Sequence, residues 1–201
     1  MTADGSTTDR IGPDLDGSET ARRLTMAVSS RTGNTRKVAD AARRALEEAG
    51  WQVRERARGE EVVDDVVVVC FWCWKSTLDP LSERVVGGLS GRRILALGTF
   101  GGYPGSPYAG RVERNVCATI GERNECLGVF LSQGKVPMDN IESRRALPPE
   151  DPHHLDDAGV ERVLESQNHP DENDLRRAEA FVRAHLGDLA AGIVPAEAVG
   201  A

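Results

Sequence analysis

Aromatic side chains make up only 4% of this 201-residue chain, and that scarcity makes their placement informative. Six of the nine, Phe71, Trp72, Trp74, Phe100, Tyr103 and Tyr108, fall in one stretch of sequence. Long apolar runs are missing too. None approaches the ~20 residues that a membrane span requires, and the longest, from Val66 to Trp74, suits a buried strand. The N-terminus has no basic start followed by an apolar stretch, so no secretory leader is expected and the protein is read as cytoplasmic, without a membrane partner. A concentrated basic block is also lacking, which argues against nucleic acid. The net charge of −7 builds no acidic face, because residues 1–20 hold −4 of it and residues 187–201 hold −2.

Cysteine is limited to Cys70, Cys73, Cys117 and Cys126. Cys70 and Cys73 form a CxxC, the spacing of a redox dithiol or of half a zinc site. A zinc site wants a second ligand pair, and His153, His154, His169 and His185 are distant in sequence. A redox CxxC usually opens a helix, whereas this one closes an apolar strand. Buried, reduced thiols are therefore expected. The His153-His154 pair lies among Asp151, Asp156 and Asp157 in a loop-like run. Adjacent residues rarely face one ion together, so this segment is read as solvated loop and no metal is expected.

What is present is 39% hydrophobic and 28% charged, ordinary for a domain that buries a core. Residues 1–22 and 190–201 read as tails around a domain over 23–189. Inside it, strands are expected at Leu24–Ser29, Gln52–Arg58, Asp65–Trp72, Arg93–Gly98 and Glu125–Ser132. Gln52–Arg58 is polar and suits an edge. Asp65–Trp72 is Val-rich and suits burial on both faces. Val38, Ala42, Ala45, Leu46 and Ala49 recur on one helical face, and Gly50 stops that helix. Further helices are expected near 80–89, 109–121 and 171–189. Residues 136–170 hold five prolines and one short helical segment near 157–166, and read as an irregular insertion. Five strands alternating with helices give an α/β fold, a doubly wound parallel sheet with helices on both faces. Ligands of such sheets bind beyond the carboxyl ends of the strands. The loops leaving those ends are 30–35, 72–79 and 99–108.

The first loop reads Ser30-Arg31-Thr32-Gly33-Asn34-Thr35, between a strand and a helix. Helix-start amides, three hydroxyls and a glycine suit a phosphate group. An ordinary helix cap also uses Ser and Thr at this place. GxxxxGKS/T is absent and no GxGxxG follows the first strand, so neither a nucleoside triphosphate nor a dinucleotide fits. In the second and third loops Trp72, Trp74, Phe100, Tyr103 and Tyr108 form a surface suited to a flat ring, the alternative being that Trp72 simply finishes the core strand. Glycines such as Gly101 let backbone approach a ligand edge, although a plain glycine-rich turn explains them equally well.

The six residues 30–35 resemble, without a gap, the phosphate loop of flavodoxins. The resemblance covers roughly residues 24–135 and resumes over 171–189. It implies a flavodoxin-like five-stranded sheet and a flavin mononucleotide (FMN) cofactor. It gives the FMN phosphate the hydroxyls of Ser30, Thr32 and Thr35, the side-chain amide of Asn34 and the backbone amides of Arg31 and Gly33. It places Trp72, Trp74, Phe100, Gly101 and Tyr103 around the flavin. The sequence departs from small carrier flavodoxins at Trp74-Lys75-Ser76, which replaces Trp-Gly-Asp, and in the extra segment 136–170. The Phe-Trp second loop and Gln133-Gly134-Lys135 look like a subgroup of flavodoxin-like proteins, one branch of which accompanies bilirubin reductase. The expected function is an FMN electron carrier between a reductase donor and a redox-enzyme acceptor, with no catalytic residue of its own. The alternatives are an FMN-dependent NAD(P)H oxidoreductase acting on a quinone or other small acceptor, with 136–170 as a pocket wall, and a binding module without flavin.

Overall fold

The computed structural model describes residues 22–190 apart from Asn140 and Pro152, and the side chains only as far as Gly187. The expected tails thus lie almost wholly outside the described residues. Five strands, β1 (Arg23–Val28), β2 (Gln52–Glu55), β3 (Val66–Trp72), β4 (Arg93–Phe100) and β5 (Glu125–Gln133), form one parallel sheet in the order β2-β1-β3-β4-β5. The Val-rich β3 takes the centre because a central parallel strand is covered on both faces. Its side chains alternate between two cores, Val66, Val68 and Cys70 in one and Val67, Val69 and Phe71 in the other.

Helices α1 (Asn34–Glu48) and α6 (Glu172–Ala190) cover the first face, where Val38, Ala42, Ala45 and Leu46 meet Ala178, Val182 and Leu186. Helices α2 (Pro80–Gly87) and α3 (Pro107–Gly121) cover the second with Val86, Val112, Val116 and Ile120. Each of these two begins with a side-chain cap, Asp79 or Ser106, and a proline in the first turn. That pairing satisfies orphan amides and presets φ. The order reverses between β1 and β3, which opens a crevice at the carboxyl ends of the central strands.

The edge strand β2 is shorter than the expected Gln52–Arg58. It ends at Glu55 because a turn closes from Glu60 N–H to the Ala57 carbonyl, with Gly59 at φ 83°. The segment after β5 holds α4 (Ile141–Arg145), α5 (Asp157–Glu165) and one 3-10 turn over Ser166–Asn168. Only α5 was expected. α4 buries none of its residues, so it leaves no apolar period to read. Cys117 of α3 and Cys126 of β5 are disulfide-bonded. Among the described residues no helix is long and apolar enough to cross a membrane.

Candidate functional site

The site is assembled from the loops that leave β1, β3, β4 and β5. After β1, Ser29 anchors the chain: its N–H donates to the Cys70 carbonyl (2.8 Å) and its hydroxyl to the buried Asp79 carboxylate (2.8 Å). Gly33 then adopts φ 88° as the N-cap residue of α1, a left-handed conformation that a side chain would strain. From Arg31 to Thr35 the backbone amides find no acceptor among the described residues. Ser30 and Thr32 accept hydrogen bonds, from Arg36 N–H (3.2 Å) and the Asn34 amide (3.1 Å), and keep their own hydroxyl protons free. The result is a row of unpaired donors on a helix start, a feature that suits an anion.

Thr35 and Asn34 are placed differently from the other four. Thr35 is buried, its hydroxyl 2.8 Å from that of Thr99 and 3.4 Å from the Phe71 carbonyl. The Asn34 amide donates to Thr32 and to the Lys135 carbonyl (2.9 Å), so both its protons are engaged. A Cβ on Gly134 would lie 2.9 Å from that amide nitrogen, which is why this close approach takes glycine.

Beyond β3, Trp74 and Thr77 pair backbone to backbone around a turn whose centre, Lys75 and Ser76, has φ of 47° and 65°. Two positive φ values in succession normally call for Asn-Gly. Lys and Ser are held there from α3, where Asn115 donates to the Ser76 carbonyl (3.0 Å) and the Ser76 hydroxyl donates to Tyr108 (3.4 Å). Trp72 is half-buried under Arg31, whose guanidinium lies 5.6 Å from the ring centre. Trp74 is 41% exposed and meets Trp72 edge-on at 5.5 Å.

Phe100 ends β4 and is buried, stacked on Tyr108 at 6.1 Å. Tyr103 is exposed and its hydroxyl donates to Glu165 of α5, which lifts its pKa above the ordinary tyrosine value. Gly134 N–H donates to the Phe100 carbonyl (2.8 Å), closing the floor.

Two cavities result. One, of about 420 Å³, runs from Thr32 and Asn34 past Trp72 and Gly101 to Lys135 and Val136. The other, of about 560 Å³, lies between Gly102, Tyr103, Tyr108 and Arg162. They share Cys73, Phe100 and Gly101. Among the described residues, no carboxylate or imidazole lines either of them.

The flavodoxin domain matches over residues 25–183. The chain belongs to the flavodoxin family. The flavodoxin-like domain-containing protein BilS of Clostridioides difficile (strain CD3) is 27% identical over 166 residues, which cover 77% of this chain and 91% of BilS. Oxidised flavodoxin 2 from Bacillus cereus shares the fold with a TM-score of 0.51 at 16% identity, over 83% of this chain and 99% of that one. A flavodoxin from the domain Archaea does so at 0.50 and 11% identity, over 84% and 99%.

Within this flavodoxin frame the residues named from sequence do not all sit alike. Arg31, Thr32, Asn34, Trp72, Phe100, Gly101 and Tyr103 line the cavities, whereas Trp74 stands beside them and Thr35 lies beneath. Sequence reasoning missed Cys73, Thr99, Val136 and Arg162 as lining residues, and Asp79 as the buried anchor of Ser29. Asp79-Pro80 carries a readable signal, since a capping acid before proline marks a helix start. Of the CxxC, Cys70 is buried and desolvation pushes its thiol up to about 12. Cys73 is half-buried and its pKa is raised, chiefly by burial. His153 N–H bonds Asp151 (2.8 Å) and His154 Nδ1 meets the Leu147 carbonyl (2.8 Å), local loop contacts. His169, Asp171 and Asp174 do converge, but Asp171 and Asp174 cap each other's amides at the start of α6.

Proposed function

We propose that this flavodoxin binds FMN in the joined cavities and carries electrons between a reductase and an acceptor enzyme in the cytoplasm. The observation that carries the reading is the row of free amides from Arg31 to Thr35, which opens into a cleft walled by Trp72. Their chemistry fits a phosphate monoester. The donors are neutral and numerous, and the helix start contributes positive potential without a metal. Flavodoxin is itself the standard example of ligand binding at the switch point of this strand order. Bound FMN supplies reversible one- and two-electron transfer.

The chain's own residues would divide the work. Ser30, Thr32 and the amides of Arg31 and Gly33 would hold the phosphate. Asn34 and Thr35 would fix the loop, the first through Lys135 and the second through Thr99. Trp72, Phe100 and Gly101 would border the ring, flanked by Trp74 and Tyr103. The carrier reading is favoured over the oxidoreductase because, among the described residues, the cavity linings hold no carboxylate or imidazole, and burial raises the pKa of the Cys73 thiol there. The second-loop resemblance makes a bilirubin reductase one candidate acceptor.

The test is the spectrum of the purified protein, followed by NAD(P)H addition with and without a flavodoxin reductase. Expected are a yellow protein with one FMN per chain, slow reduction by NAD(P)H alone and rapid reduction with the reductase. Rapid turnover of NAD(P)H and quinone with no reductase would overturn the carrier reading in favour of the enzyme.

A further inference from the structure

The mouth of the cleft is basic although the chain as a whole carries −7. Arg31, Lys75 and Arg111 lie 5.6 Å from the ring centres of Trp72, Trp74 and Tyr108 respectively. Lys135 lines the first cavity and Arg162 the second. None of these five cations is ion-paired with a carboxylate among the described residues, whose ion pairs lie elsewhere. Opposing them are Glu161 and Glu165, both acting on Tyr103, and Glu165 is occupied by its hydroxyl. The balance at the mouth is positive.

Three of the cations rest on aromatic faces, which limits how far they swing. Lys75 is also presented by a left-handed turn pinned at two points from α3. Backbone held in such a conformation is strained and persists where the surroundings fix it. Between the cations, Trp74, Tyr103 and Tyr108 are each about two-fifths exposed. Aromatic side chains with Arg are the composition of protein-binding hot spots. The cations ring a concave mouth instead of lining one face of an amphipathic helix, the arrangement that lies on a membrane.

From this we infer that the mouth of the cleft is the docking surface for a redox protein that presents an acidic face. The inference rests on the FMN reading above. Electrostatic attraction across such a surface raises association rates by roughly ten- to a thousandfold and fades as salt shortens the screening length.

The experiment uses the FMN-loaded chain, reduced with dithionite and mixed in a stopped-flow cell with one of two proteins. One is an acidic blue-copper protein, the other a basic cytochrome c. Each reduced flavin gives two electrons to two acceptor molecules, Cu(II) becoming Cu(I) or Fe(III) becoming Fe(II), and releases its protons to solvent. The copper protein should react fastest at low salt and slow about tenfold between roughly 10 and 500 mM salt. Lys75→Glu combined with Arg111→Glu should lower the low-salt rate about tenfold and flatten the salt dependence. Cytochrome c should show the opposite slope with the unmodified protein. Faster reaction with cytochrome c at low salt, or a copper-protein rate indifferent to salt and to both substitutions, overturns the inference. So does co-sedimentation with phosphatidylserine vesicles that the double variant abolishes while the copper-protein rate is unmoved, which would assign the surface to a membrane. A colourless protein that takes up no FMN is seen before any mixing and refutes the FMN reading itself.

Discussion

Thr32 and Thr35 lie three residues apart in the same loop, and the structure separates what their hydroxyls do. Thr32 is exposed and only accepts, from the Asn34 amide, so its own proton is free for a phosphate oxygen. A hydrogen bond to a charged group is worth about 1.5–3 kcal/mol, or roughly a 10- to 150-fold change in affinity. Thr32→Ala should therefore weaken FMN by that factor and leave riboflavin, which lacks the phosphate, within about twofold. Stability should shift by no more than ~0.5 kcal/mol, because Asn34 keeps its bond to Lys135. Thr35 is buried against Thr99, itself buried. Thr35→Val keeps the shape but takes a partner from the Thr99 hydroxyl, at a cost of about 1–3 kcal/mol. At ~2–4 °C per kcal/mol for a chain of this size, Tm should fall by roughly 2–12 °C. Flavin fluorescence titrations with both ligands and thermal melts of the flavin-free protein read these effects. Equal losses of FMN and riboflavin in Thr32→Ala would refute the placement of the phosphate at this loop. A Thr35→Val protein as stable as the parent would refute the buried hydroxyl pair.

Asp79→Ala should lower the stability of the flavin-free protein by about 2–4 kcal/mol in urea melts, because it removes the α2 cap and the acceptor of the buried Ser29 and Ser82 hydroxyls. A loss below ~1 kcal/mol would show that the cluster contributes little. Cys70, buried with a thiol pushed up to about 12, should resist thiol reagents at neutral pH until the protein unfolds. Cys73 lines both cavities and should react slowly without FMN and more slowly with it. Mass spectrometry of the labelled peptides checks both, and FMN-independent labelling of Cys73 would place the flavin elsewhere.

Where local chemistry dominates, the sequence was readable. The Val run of β3 reads as a central strand because only a strand buried on both faces tolerates it, and the apolar face of α1 follows its period. The strand–loop–helix context of residues 30–35 is likewise as expected, Val28 ending β1 and Asn34 opening α1. The rest depends on partners distant along the chain. Asn34 reaches Lys135 across 101 residues and Ser29 reaches Asp79 across 50, separations that no local pattern reports. The resemblance gives the Asn34 amide to the phosphate; here that amide donates to Thr32 and to the Lys135 carbonyl just beyond β5. The turn at Lys75-Ser76 was hidden for another reason: neither residue type signals positive φ, and contacts from α3 impose it. Trp74 was legible as a loop aromatic, but its position beside the cavities depends on that turn.

The segment 136–170 shows what such long-range contacts accomplish. It looks appended in sequence, yet it is bonded into the floor of the cleft. Val136 N–H donates to the Ser166 hydroxyl (3.0 Å), and the Gln167 amide to the Val136 carbonyl (2.8 Å). Lys135 N–H donates to the His169 carbonyl (2.9 Å), while the Lys135 carbonyl accepts from Asn34. The 30–35 loop, the segment just after β5 and the segment just before α6 are thus joined by consecutive hydrogen bonds. On the opposite side Glu165 holds Tyr103 and Arg162 enters the second cavity. The segment therefore supports one wall and contributes one cation, and it supplies no acid or base to the linings of the two cavities. A pocket that moves a proton to or from a small substrate needs such a group within hydrogen-bond reach. A carrier needs something else, a rigid floor beneath an accessible rim, because its rate is set by docking and not by proton transfer. The rigid contacts lie on the β5 side, and the exposed Trp74, Tyr103 and Tyr108 form the rim. Under the proposed carrier function, the inserted segment would be a brace that fixes the cleft and leaves its mouth open to a partner.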